Sequence, residues 1–261
     1  HVGVLTVDVG DLGVPATDNV DFFSAEKFSG VDVLKIGTQS GSGNATTIQK
    51  VASGTNVTIT NVENASGTAE ALTISAASST STTDTLTLTL NHKDKGTMDL
   101  GAVTLDGHET VTIHSTGTDT VNGKAAVVAV NTLGTVAGTV TDTVLNISGD
   151  KKLVAAPEAT WTTITSTNTA GVDLTIASGT ALTVTGGAGD DRIEIDTLSD
   201  ITALDTIKGG EGTDTLALSQ VIGTDFSAVQ LAAISGFEKL EYITASQTAA
   251  ARTIDLTKLT G

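Results

Sequence analysis

The chain has 261 residues, enough for one long β domain or two smaller ones with a real core. Its 13 Lys and Arg stand against 30 Asp and Glu, a net charge of −17, which excludes nucleic acid or anionic membrane held through a basic patch. It has no Cys, which excludes disulfides, thiolate zinc sites and Cys nucleophiles.

An excess of carboxylate serves either solubility or the binding of hard cations such as calcium. The sequence starts at His1 with no basic-then-apolar leader, so the chain reads as a piece cut from a longer protein. The uncharged apolar stretch from Ala125 to Val130 is far too short to cross a bilayer, and no membrane insertion is expected. Aromatics are 3% and Pro only 2 residues, while Thr is roughly one residue in five. That composition suits pleated strands with one solvated face.

In chain order, the stretch Asp21 to Ser29 has a spacing compatible with a short helix. Gly41-Ser42-Gly43 reads as a loop, and Val57-Thr58-Ile59 as a short strand. Ser78 to Thr83 reads as a loop before Thr85 to Leu90, which alternates strictly between Thr and Leu. Val111-Thr112-Ile113 is the next strand, and Thr116-Gly117-Thr118 a loop or edge. Trp161 to Thr165, Leu174-Thr175-Ile176 and Leu182-Thr183-Val184 continue the period-2 pattern. A second short helix is expected within Asp225 to Ser235, from Phe226, Val229, Leu231 and Ile234. Many short strands with frequent turns fit a sandwich or a solenoid.

Internal similarity favours the solenoid. Gly30-Val31-Asp32-Val33-Leu34, Gly107-His108-Glu109-Thr110-Val111 and Gly236-Phe237-Glu238-Lys239-Leu240 share Gly, any residue, an acid, any residue, then an apolar residue. This describes a turn leading into a strand with alternate residues buried. The predicted fold is therefore all-β: a right-handed parallel β-solenoid or β-roll with many short strands, irregular coils and at most one or two short helices. Two regions are expected: 1–145, rich in Thr and Gly, and 146–261, which holds the sharper motif.

That motif is G-G-x-G-x-D-x-U-x, where U is a large apolar residue. It occurs as Gly186-Gly187-Ala188-Gly189-Asp190-Asp191-Arg192-Ile193-Glu194 and again as Gly209-Gly210-Glu211-Gly212-Thr213-Asp214-Thr215-Leu216-Ala217. Glycines permit the tight turn, so that main-chain carbonyls can face inward. Asp191 and Asp214 add hard carboxylate oxygens, and calcium takes six to eight oxygens in flexible geometry. One turn supplies too few, so the ion is expected between two stacked turns, with Gly187, Gly189, Gly210 and Gly212 as turn ligands. The copies are offset by more than two nine-residue halves, so an insertion of about five residues is expected between Ile195 and Ala203. Asp190 and Asp196 are candidates to complete the shell, and Glu194, Asp205 and Glu211 lie near them in sequence.

These nonamers, with the acidity and the absence of Cys, resemble the RTX proteins exported by type I secretion. Leu145 to Asp150, Leu182 to Asp191 and Gly236 to Leu240 are similar to the calcium-dependent S-layer proteins within that family. The resemblance implies a secreted structural protein of the cell surface that folds on calcium outside the cell. It also implies self-assembly into a two-dimensional lattice, with cell-surface polysaccharide as a partner through another region. Only two nonamers are present, not a long tandem array, which implies irregular coils. A stalk of a type I-secreted adhesin and an accessory module of a secreted enzyme are the alternatives.

No enzyme is expected from this chain itself. His108-Glu109 begins a zincin motif, but Thr112 stands where the second His belongs. No Gly-x-Ser-x-Gly elbow occurs. His108 and His114 would share one strand face, too far apart to hold one ion. Trp161, the one Trp, reads as a partly buried solenoid residue, and Lys93-Asp94-Lys95 and Lys151-Lys152 as solvated turns.

Overall fold

The computed structural model describes residues 4–7, 20–24, 33–36, 45–60, 70–78, 80–92, 97–117, 120–121, 124–125, 130–139, 143–177, 181–219 and 227–243. In chain order the first strands are β1 (Val4–Val7), β2 (Val20–Ser24), β3 (Val33–Ile36), β4 (Ala45–Val51), β5 (Thr55–Ile59) and β6 (Glu70–Ala76). They are followed by β7 (Thr85–His92), β8 (Thr97–Asp106), β9 (Thr110–Gly117), β10 (Thr120–Val121), β11 (Lys124–Ala125) and β12 (Val130–Gly138). Next come β13 (Thr143–Gly149), β14 (Lys152–Pro157), β15 (Trp161–Ser166), β16 (Val172–Ile176), β17 (Thr183–Thr185) and β18 (Arg192–Ile195). The last are β19 (Thr206–Lys208), β20 (Thr215–Leu218), β21 (Ile234–Ser235) and β22 (Lys239–Tyr242), with the helix α1 (Ala228–Ala233) before β21.

These strands form a parallel β-solenoid. The first sheet has ten strands in the order β1-β3-β5-β7-β9-β13-β15-β17-β19-β21. The second also has ten, β2-β4-β6-β8-β12-β14-β16-β18-β20-β22. Each coil gives one strand to each sheet, and neighbours within a sheet are parallel. The antiparallel hairpin β10-β11 is an insertion that belongs to neither sheet, after which the alternation resumes. Both sheets run on through the strands flanking residue 145.

The alternating sequence explains the layering. In β9 every second residue is buried, and Val111 and Ile113 are among those turned inward. The register continues inward from Val111 to Leu145, Ile164, Val184, Ile207 and Ile234, one column of apolar side chains down the core. The second sheet faces it with Leu174, Ile193, Leu216 and Leu240 in register. Each such buried side chain contributes about 1.5–3 kcal/mol. Trp161 is more deeply placed than the sequence suggests: it is 1% exposed, and its Nε1–H donates to the carbonyl of Val136 at 2.8 Å.

Coil length varies. Asp173 pairs with Arg192 across 19 residues, close to the regular roll, whereas His114 and Ser148 are neighbours across 34. The register shifts within four strand pairs, β4-β6, β6-β8, β12-β14 and β13-β15, and the strands stay parallel across each shift. The insertion expected between Ile195 and Ala203 is there, as a 3-10 turn at Leu198–Asp200.

The later helix forms within the expected stretch. Ser227 caps it by accepting from the Gln230 N–H, and Gln230 Oε1 accepts from the Ser227 N–H in return. The earlier helix does not form over its described part: residues 21–24 belong to β2, paired with β4, because Val, Phe and Phe suit a parallel sheet. Residues 25–29, 41–43 and 93–95 lie outside the described residues. Thr116 and Gly117 are not a loop but the end of β9, held by Asn91 and His92 of β7.

Candidate metal centre

The two nonamers stack turn on turn. A Cβ added to Gly186 would lie 1.6 Å from the carbonyl oxygen of Gly209, so only glycine allows the approach. A Cβ on Gly210 would lie 2.5 Å from Gly187 O, and one on Gly212 would lie 2.5 Å from Gly189 O. Gly187 O also accepts from the Glu211 N–H at 2.9 Å. Asp190 Oδ1 accepts from the Thr213 N–H at 2.9 Å. Ile193 and Leu216 then start their strands and are fully buried.

Asp191 and Asp214 occupy equivalent places one coil apart, each just before its strand. Asp191 Oδ1 accepts from the Val172 N–H at 2.7 Å, and its Oδ2 from the Gly187 N–H at 2.6 Å. Asp214 Oδ1 accepts from the Asp191 N–H at 2.9 Å. Glu238 continues the column by accepting from the Asp214 N–H at 2.8 Å. Asp214 Oδ2 is buried and has no hydrogen-bond partner.

This column is electrostatically loaded. Burial pushes the Asp191 carboxyl up from 3.8 to about 6, against the opposing Gly187 and Val172 N–H groups, and Asp214 and Asp190 push it further. Burial also raises Asp214, with Glu238 and Asp190 adding to it. Arg192 does not relieve them: it pairs on the outer face with Asp173, Glu194 and Glu241. Among the described residues, no Lys or Arg pairs with Asp190, Asp191, Asp214 or Glu238.

The same hydrogen bond recurs outside the nonamers. Glu109 Oε2 accepts from the Asp84 N–H at 2.6 Å, and Asp205 Oδ1 from the Leu182 N–H at 2.7 Å. In each case the acid stands before a strand and takes the main-chain N–H from the equivalent place one coil earlier. The Gly-x-acid similarity seen in the sequence therefore has a structural meaning at Glu109 and Glu238, each preceded by a glycine with positive φ, Gly107 at 74° and Gly236 at 72°. The nonamer aspartates perform this task as well, so part of their role needs no ion.

The turns thus bring together Gly187, Gly189, Asp190, Asp191, Gly210, Gly212 and Asp214. They do not bring in Asp196, which lies at the far end of β18 and accepts from Ser219 Oγ at 2.9 Å. Glu194 is committed to Arg192, and Asp205 sits at a corner of the first sheet with its Oδ2 on Thr202. Among the described residues, no three His, Asp or Glu side chains converge on one point. A bound cation would therefore depend on turn carbonyls with Asp214 Oδ2, and the residues fit a hard ion on those terms: of the two buried carboxylate oxygens without a partner, Asp84 Oδ2 and Asp214 Oδ2, the second lies in the nonamer stack.

His108, just before β9, is fully buried, and neither ring nitrogen has a partner. Burial lowers its pKa, opposed by Asp84, Glu109 and Asp106. His114 instead faces outward against Ser148, so the two histidines do not share a strand face. A groove of about 270 Å³ beside α1, lined by Ala203, Asp205, Ala228, Val229, Ala232 and Ala233, offers one acid that is already hydrogen-bonded. In comparisons with known proteins, no family model, curated protein or solved structure matches the chain.

Proposed function

We propose that this chain is a structural, calcium-binding segment of a bacterial surface layer, secreted and folded outside the cell. The observation that carries the calcium part is Asp214 Oδ2, a buried carboxylate oxygen without a partner, placed where two glycine turns stack. The raised Asp191 beside it supports the same reading, since a cation between the two buried carboxylates would offset their desolvation and mutual repulsion. Calcium there would pin the turns of consecutive coils and so stiffen the solenoid.

The surface-layer part rests on the resemblance of the nonamers and on a fold that builds length rather than a pocket. Sedimentation velocity in chelator and across a calcium titration, with magnesium as control, tests both. The expected result is compaction and then large calcium-specific assemblies. Compaction to a stable monomer would keep the calcium site and favour the adhesin stalk. No response to calcium would remove the reading.

A further inference from the structure

Among the described residues, the outer face of the first sheet carries two ranks of aligned threonines, whereas the second sheet has a single one, Thr47, Thr73 and Thr104. Strands β7, β9, β15 and β17 each carry Thr-apolar-Thr, with the central residue in the core and both threonines outward. Register aligns them. Thr85 pairs with Thr110, and beyond β13 Thr163 pairs with Thr183 and Thr183 with Thr206. Two residues along, Thr87 pairs with Thr112, and Thr165 with Thr185. Only β13 interrupts the two ranks, with Val144 and Asn146 in the same registers.

The result is a grid. Neighbouring strands repeat at about 4.8 Å, and alternate residues along a parallel strand at about 6.6 Å. Threonine is stiff at χ1, so hydroxyl and methyl hold their places. Among the described residues, no hydroxyl in the two ranks has a protein hydrogen-bond partner, whereas those of Thr139, Thr143 and Thr162 do.

The grid is also neutral. In a chain with 30 acids, neither rank contains one from β7 to β17, and the first charge is Lys208 in β19, in register with Thr185. The opposite outer face carries the Asp173, Arg192, Glu194 and Glu241 cluster. No aromatic ring stands in the ranks, which argues against a sugar-stacking platform.

We propose that this threonine face binds ice. The prism faces of hexagonal ice repeat on two spacings close to those of the grid, and free hydroxyls between methyls can hold water in that order. Charges, which would hold water in another order, are absent from the two ranks between β7 and β17. The inference stands apart from the calcium reading, since it rests on the first sheet alone.

The test uses the purified chain, folded in calcium, with thermal hysteresis and crystal shape read at a single ice crystal. Thr165→Lys places a charged stem in the grid; Thr175→Lys does the same on the outer face of the second sheet, beside Glu194 and outside any threonine rank. Far-UV circular dichroism shows whether both fold. The expected outcome is faceted crystals with measurable hysteresis, lost in Thr165→Lys and kept in Thr175→Lys. Unshaped ice discs with the folded chain would overturn the proposal, as would equal losses in the two variants. If Thr165→Lys abolishes self-association while the parent chain leaves ice unshaped, the face is a protein interface and the proposal fails, with the calcium site untouched.

Discussion

The main-chain N–H of Asp191 donates to Asp214 Oδ1 at 2.9 Å, from one nonamer turn to the next. The same Asp191 receives Val172 and Gly187 on its own carboxylate. Each aspartate of the motif is thus a link in a chain of main-chain contacts, and Asp214, unlike Asp191, keeps a buried oxygen free. In the proposed calcium site, ion binding and coil stacking would therefore share a residue, but not the same atom.

Asp214→Asn separates the two roles. The amide oxygen can still accept from Asp191, while the charge is lost. In chelator, thermal unfolding is expected to stay within about 1 kcal/mol of the parent chain. The stabilisation by calcium is expected to fall sharply, read by isothermal calorimetry and by melting with and without the ion. Asp214→Ala should cost about 1–3 kcal/mol even in chelator, because it leaves the Asp191 N–H buried without an acceptor.

The pH dependence without calcium should run against ordinary acid denaturation. Asp191 is raised in the folded chain from 3.8 to about 6. The fold holds a proton that the unfolded chain has released, so its contribution is complete below about pH 4 and is lost as pH rises through 6. Asp214 is displaced in the same direction. Chemical denaturation in chelator should show stability falling from pH 4.5 to pH 7, by on the order of 2 kcal/mol from Asp191. Calcium, which binds the ionised form, should restore stability at pH 7 and have little effect near pH 4.5.

Gly186→Ala should be severe. Its Cβ would meet Gly209 O at 1.6 Å and Asp191 Oδ2 at 2.5 Å, both fixed in the stack. A loss of about 4 kcal/mol or more is expected, seen as failure to fold or a large drop in the denaturation midpoint. Gly54→Ala is the control: φ is +82° but nothing lies within 4 Å of the added carbon. Its cost should be only the left-handed strain of about 1–2 kcal/mol.

Glu109→Ala tests the coil-to-coil hydrogen bond away from the nonamers. It removes the acceptor of the Asp84 N–H, at an expected cost of about 1–3 kcal/mol. Calcium affinity should not change. Trp161, buried and alone of its kind, gives the fluorescence readout for this unfolding.

Much of this was legible in the sequence because period-2 alternation survives in almost every strand. Thr85 to Leu90 and Val111 to Ile113 are strands as their alternation requires, and the stacking of the nonamers follows from their spacing. The acid ladder was half legible: Gly-x-acid flagged Glu109 and Glu238 but not Asp205, preceded by Ala203 and Leu204. Asp196 was misplaced because four residues of extended chain carry it to the other end of β18. The burial of His108 was hidden, since its place before β9 follows a turn at Gly107 with positive φ and not the period-2 alternation of the strand. The threonine grid was invisible as well: each Thr-x-Thr is ordinary alone, and only register across coils of unequal length makes ranks of them.

The alternation of strands between two sheets has a mechanical consequence. Among the described residues, each strand of the two sheets is hydrogen-bonded within its sheet only to those of the coils before and after it. Cohesion is therefore passed from neighbour to neighbour, as in a zip. Tension applied at one end should peel the molecule coil by coil, and a pinned pair of turns at 186–191 and 209–214 would act as the stop at which peeling halts.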